Sequence, residues 1–295
     1  MKKYFALVGT TLLAACSTVP SQQTATQPVE LRFVAEVNGQ SFECGQSYKN
    51  IGTTRSTMTP TDFRMFVSQV QLTTADGKLV PVQLNQDKTW QLDGIALLDF
   101  ENGRGPCGNG TPPTNTVVRG IVPAGQYTGV KFTVGVPFDR NHGDPTVAPA
   151  PLSSTAMFWT WQAGYKFIKF DAATSGRPIQ AVKHTADGGG NASGFSVHLG
   201  STMCASPSRT QAPTACQNPN RIEVSFADFD VKKNQVVVDM GRVLAGTNVD
   251  VNAPKTSPGC MSFPKDPDCP SIMNTMGLPY EGKAPSGPQQ FIMKR

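Results

Sequence analysis

Apolar residues at every second position, in short runs broken by Gly, Pro, Asn and Asp, limit the folds open to this chain more than any other feature. An extended backbone sends successive side chains to opposite faces, so such alternation gives each strand one face to bury and one to wet. Residues 31–37 read Leu-Arg-Phe-Val-Ala-Glu-Val and stop at Asn38-Gly39, a pair that accepts the positive φ of a tight hairpin turn. Residues 63–72 alternate through Phe63, Met65, Val67 and Gln69, shift phase, and end before Ala75-Asp76-Gly77. Further runs at 80–84, 117–122, 127–136, 164–170, 195–199, 221–226 and 235–239 bring the total to about nine or ten strands. Residues 95–100 fit a short strand or a helical turn. Helical periodicity is scarce, and 28 Gly with 24 Pro supply the turns that many short strands need. The expected fold is all-β, an immunoglobulin-like antiparallel β-sandwich with long disulfide-stapled loops, in one domain spanning 31–295. From about residue 254 onward the chain is Pro- and Gly-rich and reads as an irregular carboxy-terminal tail.

The amino terminus is set apart from that pattern. Lys2 and Lys3 precede an apolar run from Phe5 to Leu13, far short of the roughly 20 residues a bilayer-spanning helix needs, so residues 1–15 read as a signal peptide. Leu13-Ala14-Ala15-Cys16 matches the bacterial lipobox, which makes Cys16 the expected lipidation site and, after cleavage, the first residue. Two or three acyl chains hold a protein on a membrane far better than one. Ser17 in place of an acidic residue points to the outer membrane, on its periplasmic or surface face. Residues 16–30 are mostly Ser, Thr, Gln and Pro and read as a flexible tether. The net charge of +5 includes the two leader lysines, and the other cations are scattered, which argues against nucleic acid as a partner.

Beyond Cys16 stand six cysteines, and an even number in an exported chain argues for disulfides. Six cysteines permit fifteen pairings, among which sequence alone does not choose. The sequence-local set joins Cys204 to Cys216 and Cys260 to Cys269, which leaves Cys44 with Cys107. A thiolate metal site is the rival, but no C-x-x-C pair or zinc-finger spacing occurs.

With three histidines in the chain, a metal site has few possible ligands. His142 lies in a polar loop, Asn141-His142-Gly143-Asp144, and His198 in the alternating run Phe195-Ser196-Val197-His198-Leu199. His184 precedes a triple-glycine loop. Taken singly, each is as readily a hydrogen-bonding residue as a ligand. Between His142 and His198 comes Met157-Phe158-Trp159-Thr160-Trp161-Gln162, in which Trp159 and Trp161 would point the same way if extended. Such a cluster also anchors sandwich cores. Nucleophile elbows, Walker loops, H-E-x-x-H and haem-attachment motifs are missing, so no enzymatic activity and no organic cofactor is expected.

Several ordered blocks carry a resemblance: Phe42-Glu43-Cys44-Gly45, Asp62 to Ser68, Ala96-Leu97-Leu98-Asp99-Phe100, Gly135-Val136-Pro137-Phe138, Trp159 to Tyr165, and His198-Leu199-Gly200-Ser201-Thr202-Met203-Cys204. In this order they resemble the MbnP-like family, specifically its four-cysteine, metallo-mystery-pair branch. The resemblance implies a copper-binding envelope protein paired with a di-haem cytochrome c peroxidase-like enzyme that oxidises a tryptophan to kynurenine. Carried onto this sequence, His142 and His198 are the implied ligands, and Trp159 or Trp161 the tryptophan to be modified. Met157 or Met203 would be a soft ligand suited to Cu(I), and Asp144 a partner holding the His142 ring. The Trp-x-His tripeptide of some relatives is missing here. A metal-free binding or structural module of the envelope is the competing expectation. A metal-dependent hydrolase built on Asn141 to Asp144 has too few ligands for a catalytic site.

Overall fold

The computed structural model describes Met1 and residues 25–178, 194–208 and 210–295. Signal peptide, Cys16, the tether up to residue 24 and His184 lie outside these. In chain order the main strands are β1 (Thr26–Val37), β2 (Ser56–Thr73), β3 (Ile95–Asp99), β4 (Val117–Pro123), β5 (Gly129–Val134), β6 (Phe158–Thr160), β7 (Gly164–Thr174), β8 (Phe195–Gly200), β9 (Thr202–Ala205), β10 (Ala215–Asn218), β11 (Ile222–Phe226), β12 (Val236–Asp239) and β13 (Ile292–Lys294). Three short helices are α1 (Phe138–Asn141), α2 (Met240–Leu244) and α3 (Pro270–Thr275).

Two sheets enclose one apolar core, as alternation requires. The smaller runs β13-β12-β1-β4 and ends on Gln83–Leu84. The larger follows β6-β7-β2-β5-β11, with β8 beside β7 and β3 beside β2. Edge-to-face packing of Phe33 from β1 against Phe132 from β5, centroids 5.5 Å apart, joins the two inner faces. Between these strands pairing is antiparallel except for β1 and β12, which run parallel. Asn38 and Gly39 both take positive φ in the turn after β1, as a type I′ hairpin demands. The phase shift near Gln69 is a bulge: its φ is 55° and the β2–β5 register slips between Lys131 and Thr133.

The strand and tail boundaries expected from sequence need correction. Strand β1 begins at Thr26, inside the expected tether, because its backbone pairs with β4 all the way to Thr26 opposite Pro123. Backbone pairing needs no apolar side chain, so composition gave no sign of it. The carboxy-terminal tail is not wholly irregular: it contains α3, and it ends in β13, which pairs with β12. The three disulfides are Cys44–Cys107, Cys204–Cys216 and Cys260–Cys269. The Cys260 backbone also exchanges hydrogen bonds with Ser196 and His198, which lays the tail along β8. Among the described residues no helix is long and apolar enough to cross a membrane.

Candidate metal centre

Strand register lines up a row of ionisable side chains across the larger sheet. Asp99 stands opposite Arg64, Arg64 opposite Lys169, and Lys169 opposite His198, so all four share one face. Asp62 and Asp171 form a parallel row two positions along. Lys169 Nζ reaches Asp171 Oδ2 at 2.9 Å and also contacts Asp62, to which Arg64 Nε donates at 2.9 Å. Arg64, Lys169, Asp62 and Asp171 thus each have a partner, without which burial would disfavour their charges strongly.

His198 ends the row, its Nε2 2.7 Å from Asp171 Oδ1. Burial acts to raise the Asp171 carboxyl, but the His198 hydrogen bond and the charges of His198 and Lys169 hold it well below the usual carboxylate range. An anionic carboxylate only accepts, so Nε2 carries the hydrogen, and Nδ1 is the ring nitrogen left to bind an ion. At the other end, burial and the nearby Glu101 push Asp99 up to about 8, against the pull of Arg64.

His198 lines a cavity of about 690 Å³ together with Trp159, Gln162, Lys166, Met203 and Met261. The Trp159 ring centroid is 6.4 Å from that of His198 and 5.7 Å from that of Phe263. Its indole lies over Gly200, where an added Cβ would come within 2.5 Å of the six-membered ring. Met203 is exposed and holds a φ of 54°, uncommon for a residue with a side chain. Burial, with the charge of Lys169, pulls Lys166 down to about 8, and its Nζ donates to the Ala156 carbonyl at 2.8 Å.

The structure therefore gathers His198, Trp159 and Met203 on the cavity wall, which the other described sequence candidates do not line. His142 follows α1, is buried, and does not line the cavity. Its Nδ1–H donates to the Trp161 carbonyl at 3.0 Å, while its Nε2 is 3.1 Å from Asn141 Nδ2 and 3.6 Å from Cys216 Sγ. Burial lowers its pKa, opposed by the bond to Trp161. Asp144 does not hold that ring; its carboxylate accepts from Thr146 N and Oγ1 at 2.8 and 2.7 Å, closing a local turn. Met157 is fully buried in the core. Trp161 opens the turn after β6, so it does not follow Trp159 into the cavity as a continuous strand would have it. Sequence reading missed Asp171 and Met261: Asp171 reaches His198 through register alone, and Met261 arrives on the tail.

Comparison with known proteins decides the family. The MbnP family model matches residues 26–262. The chain belongs to the MbnP family. A solved structure of MbnP from Methylosinus trichosporium superposes with a TM-score of 0.78 at 32% identity, covering 92% of this chain and 98% of that one. Among curated proteins, no match was found. The family-model match spans both sheets except β13 and takes in every residue lining the cavity except Phe263.

Proposed function

We propose that this MbnP-family chain is a non-enzymatic envelope lipoprotein, anchored through Cys16, that binds copper in the cavity beside His198. The single observation that carries the reading is the His198–Asp171 pair at 2.7 Å, which frees Nδ1 on a cavity wall that also presents two methionines. A carboxylate behind an imidazole is the usual way a protein fixes a metal-binding tautomer. The donor set fits a soft ion: imidazole from His198 with thioethers from Met203 and Met261 suits Cu(I). Bound copper would supply a redox-active, electrophilic centre there. Trp159 is the indole to be oxidised to kynurenine by a di-haem peroxidase-like partner, because it shares the cavity with His198 whereas Trp161 does not.

The test is Cu(I) titration of the mature chain against a chromophoric chelator, with its disulfides intact. About one Cu(I) per chain is expected, with binding at least about tenfold weaker in His198→Ala and unchanged in His142→Ala. Unaltered binding in His198→Ala ends the proposal and leaves the metal-free envelope module. Intact mass after co-expression with the haem enzyme reads the second part, since kynurenine formation removes one carbon and adds one oxygen. Trp159→Phe must abolish that change.

A further inference from the structure

The buried imidazole that the cavity leaves out stands against a disulfide. His142 Nε2, Cys204 Sγ and Cys216 Sγ lie within 4.8 Å of one another, and no other such group of three occurs among the described residues. We propose that Cys204–Cys216 is a masked metal site: reduced by a dithiol, the two thiolates and His142 bind a single Cu(I).

Five features of the site support this. Cys204 and Cys216 are directly opposed on β9 and β10, and the flanking pairs Thr202 with Asn218 and Ala205 with Ala215 hold that register without the S–S bond. His142 donates Nδ1–H to the Trp161 carbonyl, which leaves the Nε2 lone pair on the side of Cys216 Sγ. The Asn141 amide that now faces Nε2 has a second acceptor, Ser201 Oγ at 3.4 Å, when an ion takes the lone pair. An ion holding sulfur at about 2.3 Å and imidazole nitrogen at about 2.0 Å reaches across at most about 4.3 Å. That covers the 3.6 Å from His142 Nε2 to Cys216 Sγ, and Cys204 Sγ, once released from the S–S bond, turns to meet the ion. Access is also present, because Cys204 lines the open cavity through which a dithiol and an ion would arrive.

In the reduction, the Cys204–Cys216 S–S bond breaks and takes two electrons from the dithiol, which becomes a disulfide, while each cysteine gains a proton. Cu(I) then displaces both protons. Thiolate and imidazole donors together favour this ion over harder cations. Its donors are distinct from His198, Met203 and Met261, and this ion would bind in addition to one at His198.

The test compares Cu(I) uptake by the mature chain before and after anaerobic treatment with a phosphine reductant and desalting, with peptide mapping to locate free thiols. Reduced protein is expected to bind about one further Cu(I), with a near-ultraviolet thiolate-to-copper absorbance. That increment must vanish in Cys204→Ser/Cys216→Ser, which keeps the other disulfides, and in His142→Ala, which keeps all three. No increment in protein mapped as reduced at Cys204 and Cys216 overturns the proposal, as does an increment surviving in either variant. A folded chain whose Cys204–Cys216 bond resists the reductant overturns it equally.

Discussion

Asp99 sits at the inner end of the charged row that His198 closes, and its position carries a pH dependence of its own. Burial holds its carboxyl at about 8, against 3.8 for the free group, so between those values the folded chain binds more protons than the unfolded one. Stability supplied by Asp99 is therefore complete below about 3.8 and declines as pH rises through about 8. Asp99→Asn removes that decline while keeping an oxygen for the Glu101 amide, now 3.3 Å from Oδ1. At pH 8 the variant should be the more stable by at least about 1 kcal/mol, about 2–4 °C in Tm for a domain of this size, and the gap should close toward pH 4. Thermal melts across that range check it, and parallel profiles would sink it. Of these residues the sequence identified His198, as a lone imidazole in an alternating strand. Asp171 stayed hidden because residues 27 apart in the chain become partners only once β7 and β8 have chosen a register.

Elements were legible wherever local chemistry dictated them. Alternation located β2, its loss of phase near Gln69 marked the bulge, and Asn38-Gly39 marked the turn, since side-chain direction and φ are local properties. The stretch from Met157 to Tyr165 was less legible, because a turn at Trp161 to Ala163 interrupts residues that would also suit a continuous strand. What fixes the cavity wall instead is an absent side chain. A Cβ at position 200 would meet Trp159 at 2.5 Å and the Tyr165 carbonyl at 2.8 Å, the second being backbone that has little freedom to move. Gly200→Ala should therefore destabilise by about 1–3 kcal/mol and displace the indole from beside His198. Urea denaturation reads the first effect and the near-ultraviolet circular dichroism of tryptophan the second. An unchanged tryptophan signal in a folded variant would show that the indole does not depend on this contact.

At the scale of the whole molecule, the order of strands in a sheet was the part no local pattern could disclose. Strand β1 lies between β4 and β12, its parallel partner from the far end of the chain, and β13 then closes against β12. The Pro- and Gly-rich tail hid that last strand because it is only three residues long, and its pairing depends on an edge that forms elsewhere. It is nonetheless integral: Phe291 is fully buried and accepts from the Asp239 amide through its carbonyl, and Arg295 pairs at 2.6 Å with the buried Glu36 carboxylate. Ending the chain after Gln290 would strip these away together. It would leave an apolar hollow, an unpaired edge on β12 and a buried carboxylate without its cation. Loss of a buried Phe alone costs about 3–5 kcal/mol in a core, so the shortened chain should unfold at markedly lower urea, by at least that amount. It should also aggregate more readily through the bared edge. An expendable tail would instead leave the urea midpoint within error of the full chain, and that result would remove β13 from the set of elements that hold the sandwich closed.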